Sequence, residues 1–347
     1  MIQTVFRVGD EHYDWADAVI SWVIRGLWAD VEVDLMAGLA CEARLARESG
    51  ETFARQLEEQ ASEFRYERGL LSADETLAWL ARYGLDRDSW ERALLRSLLR
   101  RHWSEQLEGE DEPIPISEPE FWRELWPESI CSGALARACR ELADRAAIAA
   151  SAGGSVADEK ADDATRLACA EALAHTEALA SWLPPDLAAR TEQAVCLEHG
   201  YQRERQVEAE ERVLGATLVR QHLDWIRIRG RSLLFEREGE AREALLRLRE
   251  DADEIGTVAR DAGVAEKSVD FLLDQIHPAL RSQFTSAEAG EVVGPLPIFD
   301  AFGVYQIAAK ELPALSDPEI RQRAVDRTWR DRVGHEVDER VRWEIAL

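Results

Sequence analysis

Long apolar runs are missing from this 347-residue chain. No stretch approaches the ~18 residues that a membrane span requires. The opening residues, MIQTVFRVGDEHYDWADAV, turn polar before the apolar core of an export signal could form. Cysteine is scarce and poorly placed for bridging: Cys41, Cys131, Cys139, Cys169 and Cys196 are odd in number and widely spaced, unlike a disulfide framework. These absences together predict a cytoplasmic protein with reduced thiols. Lysine is nearly absent as well, since only Lys160, Lys267 and Lys310 stand among 42 basic residues. That bias points to a GC-rich genome rather than to a function.

Positive charge is in short supply overall. The formal net charge is −26, and no basic stripe with interleaved aromatics offsets it. A field of that sign repels phosphate backbones, so neither nucleic acid nor an anionic membrane is expected as a partner. The sequence contains no G-x-x-x-x-G-K-[ST], G-x-G-x-x-G, G-x-S-x-G or H-E-x-x-H, so nucleotide, hydrolase and zincin chemistry lack their required residues. Cys196 and His199 have helical i, i+3 spacing, but two ligands do not make a metal site. No metal or cofactor is expected. Acidic runs such as EGEDE (108–112) and EAEE (208–211) read as solvated faces.

What is present is helical grammar. From Tyr13 to about residue 150 apolar positions recur with a period near 3.6. Ser72 with Glu75 makes a capping box, Leu77 and Leu80 open an apolar stripe, and Gly84 supplies the stop. The next helix, from Asp88, turns Trp90, Leu94, Leu95 and Leu98 inward, and Ser117 with Glu120 makes another capping box. Eight of the 12 tryptophans precede residue 130. They read as core packing, or alternatively as an apolar cleft for extended polypeptide. Cys131 and Cys139 read as small core residues of one alanine-rich helix. SAGGSVADEKADD (151–163) predicts a surface loop. After Pro184-Pro185 a long helix is expected over about 187–223, unless Gly200 or Gly215 interrupts it. From Ser316, capped with Glu319, a last helix presents Val333, Val337, Val341 and Ile345 on one face, which should dock on the helical N-terminal part.

The pattern changes at Asp224. DWIRIRGRSLLFE alternates Ile226, Ile228, Leu233 and Phe235, with a glycine kink at Gly230. Three short helices and two strands, EVVGPLPI and FGVYQIAAK, follow in the order β-α-α-α-β-β.

AGEVVGPL feeding FGVYQI, with Gly290, Glu291, Gly294, Pro295, Phe302 and Gly303, resembles the parvulin-type peptidyl-prolyl isomerase domain over about 223–313. The whole layout is similar to SurA-like chaperones. The resemblance implies a mostly α chain with one α+β domain: a helical region at 1–223, a parvulin-like domain at 224–313, and a C-terminal helix at 314–347 that packs back on the first. It also implies where chemistry should sit. The two family histidines fall on Ser232 and Tyr305. The proline pocket falls on Ile276, Leu280 and Phe284, with His277 at the start of the pocket helix. With both histidines replaced, the expected function is chaperone-like binding of extended polypeptide or a precursor peptide, without strong catalysis. An active isomerase working through Ser232 and Tyr305 is the alternative. A scaffold that brings a modifying enzyme to a precursor peptide is another.

Overall fold

The computed structural model describes residues 4–47, 53–103, 118–153, 167, 171, 183, 185–207 and 209–345. The first elements are β1 (Thr4–Val8), β2 (Glu11–Asp14), α1 (Trp15–Ile24), α2 (Trp28–Arg47), α3 (Ala54–Glu67), α4 (Ala73–Arg82), α5 (Arg87–Trp103), α6 (Glu118–Cys131), α7 (Ala134–Ser151) and α8 (Leu187–Gln206). Then come α9 (Glu211–Arg220), β3 (Arg227–Phe235), α10 (Glu238–Arg249), α11 (Ile255–Ala262), β4 (Glu266–Leu272), α12 (Pro278–Ser286), β5 (Val292–Ile298), β6 (Ala301–Glu311), α13 (Pro318–Arg340) and β7 (Val341–Trp343). The chain is thus mostly α with small antiparallel sheets, as expected. The capping box expected at Ser117 and Glu120, Cys169, and nearly all of the loop expected at 151–163 lie outside the described residues.

Two units divide the chain: Met1–Val207 with Val333–Leu347, and Glu208–Arg332. The division differs from the expected borders at 223/224 and 313/314. Leu214 of α9 and Ile320 and Ala324 of α13 share a buried cluster with Trp225 and Leu272, so α9 and the first part of α13, to Arg332, belong with the second unit's sheet. The long helix expected over 187–223 is accordingly two helices. Its break, at 207–210, falls where one unit gives way to the other, while Gly200 and Gly215 both lie inside helices.

In the first unit, the chain opens with a hairpin where only helix was foreseen. β1 pairs antiparallel with β2 on one side and with β7 on the other. Gly9, at φ 59°, makes the turn that a bulkier residue would resist. Phe6 stacks on Tyr13 at 4.8 Å and lies 5.2 Å from Trp343. The β7 pairing corrects the last helix as read from sequence: it stops at Arg340, and Val341 is a strand residue opposite Val8. The end of the chain nevertheless packs back as expected, with Val337, Val341 and Ile345 on the helical core. Its cap is also different, because Asp317, not Ser316, accepts the amides of Glu319 (2.8 Å) and Ile320 (3.4 Å).

The helices form as their caps dictate. Glu75 N–H donates to Ser72 Oγ (3.2 Å) and Ser72 N–H to Glu75 Oε2 (2.8 Å), the expected capping box, and Gly84 ends the turn after α4 at φ 66°. Leu80 is buried, but Leu77 is 58% exposed, so the expected stripe holds only in part. Cys131 ends α6 and Cys139 lies in α7, separated by Gly133, so they do not share a helix. Trp15, Trp22, Trp28, Trp90 and Trp103 are buried core residues.

A charged cluster lies inside this apolar packing. Arg96 of α5 is fully buried and donates to Glu124 and Glu128 of α6, each at 2.9 Å, and to Glu42 of α2 at 3.5 Å. Arg92 reaches Glu124 (2.9 Å) and Arg100 reaches Glu128 (3.1 Å), so successive turns of α5 meet successive turns of α6. A Cβ on Gly38 would sit 2.9 Å from Arg96 Cβ, so α2 must be bare there for the helices to approach.

The second unit is a sheet in the order β4-β3-β6-β5 with helices on both faces. Leu233 and Phe235 of β3 face α10, whose Ala241, Ala244, Leu245 and Leu248 are buried as expected, and Ile255, Val258 and Ala259 of α11. Ile226 and Ile228 face the other way, toward Phe284 of α12. The expected order lacked β4. Glu266, Lys267 and Asp270 leave this edge strand with little alternation to read. At Gly230 the β3–β6 register shifts, and a Cβ there would lie 2.1 Å from Gln306 O.

Two outcomes follow. Arg96→Met is expected to destabilise the first unit by about 3 kcal/mol, since the buried Glu124 and Glu128 would lose the cation between them and keep only Arg92 and Arg100, which reach them from nearer the surface. Adding Glu124→Leu and Glu128→Met should recover most of that loss; urea unfolding followed by tryptophan fluorescence measures both. Gly230→Ala should destabilise the second unit by about 3 kcal/mol because the sheet cannot yield to the new atom. Gly215→Ala, in a helix with open space around it, should instead stabilise by about 0.5–1 kcal/mol. Thermal unfolding of the two variants checks the contrast in sign.

Candidate functional site

Ser232 of β3 and Tyr305 of β6 stand directly opposite each other in the ladder. Residues so paired carry their side chains on one face, within reach of each other. The face is the one that α12 covers, with Ile228, Phe284, Val293, Leu296 and Ile307 forming its buried floor. Ser232 is buried and Tyr305 half-buried. The Tyr305 ring meets Phe284 edge-on at 5.2 Å, and Phe284 meets Phe271 in the same way at 5.3 Å. Ile276 and Leu280 flank these rings and are half-buried, so Phe271, Ile276, Leu280 and Tyr305 leave apolar surface open to solvent.

The glycines of the motif hold this arrangement. A Cβ on Gly303 would lie 2.7 Å from Tyr305 Cε2 and 3.1 Å from its hydroxyl, so the phenol ring occupies the space that glycine leaves. Gly294 has φ 142°, and a Cβ there would come within 2.7 Å of Gly303 O. Gly290, at φ 93°, donates its N–H to Ile307 O at 2.7 Å, and Ile307 N–H returns to Glu291 O at 2.9 Å. Each matched glycine therefore serves the backbone beside the Tyr305 strand.

The helix over the face is pinned at both ends. His277 is its exposed N-cap, with Nδ1 accepting the Ala279 N–H at 3.3 Å, and Pro278 follows at the first turn. At the other end the Lys310 ammonium donates to the carbonyl oxygens of Thr285 and Ala287, where a cation suits the helix C-terminus. Arg281 ties the middle down through Asp224 Oδ1 (3.1 Å) and the carbonyls of Ile276 (3.3 Å) and Asp274 (3.1 Å).

Chemically, the face offers two hydroxyls and an apolar surface. Burial holds the Tyr305 phenol above its ordinary titration range, so at neutral pH it remains a hydrogen-bond donor. Both hydroxyls can donate and accept, but neither exchanges a proton near pH 7 as an imidazole does. All six residues singled out from the sequence lie on this face or at the start of its helix. Phe271 was missed because it sits on the unrecognised strand β4. Phe299 was missed too: it is wholly exposed at the β5–β6 turn, with φ at 49°, a conformation that bulky residues rarely adopt.

The sheet's two edges differ. β5 contains Pro295 and Pro297, which lack the N–H that pairing needs. β4 has no proline and exposes Glu266, Lys267, Ser268 and Asp270. Elsewhere, among the described residues, no group of three His, Cys, Asp or Glu side chains is placed to hold a metal ion. Burial pushes the Cys139 thiol far up, which makes it inert. No helix among the described residues is long and apolar enough to cross a membrane.

Comparison with known proteins gives little to set beside this geometry. No family model matches the chain, and no curated protein matches it. Among solved structures, one from work on the SurA-like chaperones PEB4 and Cj1289 of Campylobacter jejuni aligns with 79% of this chain and 93% of its own, at 9% identity and a TM-score of 0.20.

Proposed function

We propose that this protein binds extended polypeptide in a chaperone-like manner, on the open face of a parvulin-like second unit whose catalytic network is reduced. One observation carries the proposal. Half-exposed Phe271, Ile276, Leu280 and Tyr305 all pack on one buried cluster and leave apolar area outside it, and the ladder beneath pairs Ser232 with Tyr305 where the resemblance calls for two imidazoles. Apolar side chains of an extended chain gain about 25 cal/mol per Å² on such a surface. The proline-free edge of β4 can add a strand alongside it, which supplies backbone hydrogen bonds without regard to sequence. The high negative charge keeps such a surface soluble. The client we have in mind is a cytoplasmic polypeptide or precursor peptide.

Isomerisation asks for more. The X–Pro bond turns slowly because its C–N bond is partly double, with a barrier of about 18–20 kcal/mol. Catalysis requires groups that favour the twisted amide over the planar one. The adjacency of Ser232 and Tyr305 favours a second reading, in which the two hydroxyls replace the lost imidazoles. The two readings diverge in one experiment. At substoichiometric protein, cis/trans exchange of a panel of X–Pro peptides is expected to run at its uncatalysed rate, while aggregation of an unfolded client without proline is suppressed. Leu280→Asp should weaken client binding about tenfold, measured by fluorescence anisotropy. Acceleration that disappears in Ser232→Ala and Tyr305→Phe would establish the isomerase instead.

A further inference from the structure

A groove of about 770 Å³ opens in the first unit, walled by the ends of α3, α4 and α6 and the start of α7. That volume lies within the range of about 300–1,000 Å³ typical of ligand sites. Trp15, Trp79 and Tyr83 supply an aromatic wall, their rings packed 4.7–5.5 Å apart. The charge in the groove is opposite to that of the protein. Four arginines line it, Arg68, Arg82, Arg137 and Arg140, against Glu67 and Glu75. Glu75 is already engaged as the reciprocal partner of the Ser72 cap. Arg82, Arg137 and Arg140 make no ion pair among the described residues. Arg68 is already engaged: it sits 3.6 Å over the Phe64 ring, donates to the Phe64 carbonyl oxygen at 3.4 Å and lies 3.8 Å from Glu67. At the rim, Leu71 is 81% and Leu77 58% exposed, next in the chain to the lining residues Leu70 and Ala78.

We infer that this groove binds a short acidic peptide segment in which carboxylates alternate with aromatic or aliphatic side chains. The arginines take the carboxylates in charge-assisted hydrogen bonds, and the Trp15, Trp79 and Tyr83 wall takes the apolar side chains. A peptide is favoured over a nucleic acid by range. Screening confines the groove's positive field to about 8 Å at physiological salt, so a short segment meets the arginines alone, while a long polyanion also meets the −26 of the whole chain. The site lies wholly in the first unit and stands independently of the client face proposed for the second.

The test uses the full chain and a fluorescein-labelled Glu-Phe-Glu-Leu-Glu peptide followed by anisotropy. Saturable binding is expected, weakening as salt rises. Arg137→Glu with Arg140→Glu, both on the exposed side of α7, should weaken it at least tenfold, and Arg137→Gln with Arg140→Gln should weaken it less. Arg237→Glu with Arg242→Glu, the same change of net charge on the second unit, should leave it within twofold, as should Leu280→Asp. Failure of the acidic peptide to saturate at millimolar concentration overturns the inference. So does equal weakening by the two charge-reversed pairs, which would reflect the global field, or preferential binding of a single-stranded oligonucleotide over the peptide.

Discussion

A guanidinium removed from water is tolerable only while carboxylates surround it, and in the first unit that condition falls on Arg96. Its partners come from two other helices, Glu42 on α2 and Glu124 and Glu128 on α6, so three helices must meet at one point in one register. Sliding α6 by one turn, about 5.4 Å, would bury a carboxylate away from its arginine. A purely apolar interface would accept such a slip far more readily, since burial of apolar area has no direction. Gly38 shows how closely the register is drawn, because one methyl group there would collide with the Arg96 stem. α4 precedes α5 and α7 follows α6 through the left-handed Gly133, so the walls of the aromatic groove take their positions from helices that this network fixes.

Local features of the chain carried most of the helical architecture in plain view. The Ser72 and Glu75 cap, the Gly84 stop and the inward face of Ala241, Ala244, Leu245 and Leu248 are decided within one or two turns, and the sequence displays them. The features that stayed hidden are decided by distant partners. β7 is a strand because Val341 finds Val8, more than three hundred residues earlier, and its fourfold spacing from Val333 and Val337 imitates a helix. β4 is an edge strand whose charges blur its alternation. The break at 207–210 contains neither glycine nor proline; it follows the division of the chain into units, which no local pattern encodes.

The second unit's candidate site divides along the same line. Gly290, Gly294 and Gly303 are legible because backbone conformation and close approach admit no substitute. That Ser232 and Tyr305 face each other is a fact of register, and a shift of one residue would have put them on opposite faces. The bulge opposite Gly230 belongs to that register, so the glycine that reads as a kink also determines which hydroxyls meet. Phe271 completes the aromatic chain with Phe284 and Tyr305 only through a strand that the sequence conceals. The glycine skeleton of the motif could be read from the sequence, while the surface it supports needed the fold.

The scarcity of lysine also bears on how this protein uses charge. Lys310 shows what an ammonium does well here: it gathers two carbonyl oxygens at a helix end as a compact point charge. Joining separate helices through carboxylates suits a planar fork better, because it holds two partners at once and is less strongly hydrated. Arg96 uses that fork between α5 and α6, Arg145 joins α7 to Glu198 on α8, and Arg190 joins α8 to Asp14 and Asp17 at the start of α1. In each case the positive charge meets carboxylates from another part of the fold. Arg82, Arg137 and Arg140 break that pattern among the described residues, although acids outnumber bases by 68 to 42 in the chain. In a chain so rich in carboxylates, three arginines that make no ion pair among the described residues and line one aromatic groove are a local arrangement that average composition does not produce, and that arrangement is the ground for proposing an anionic partner there.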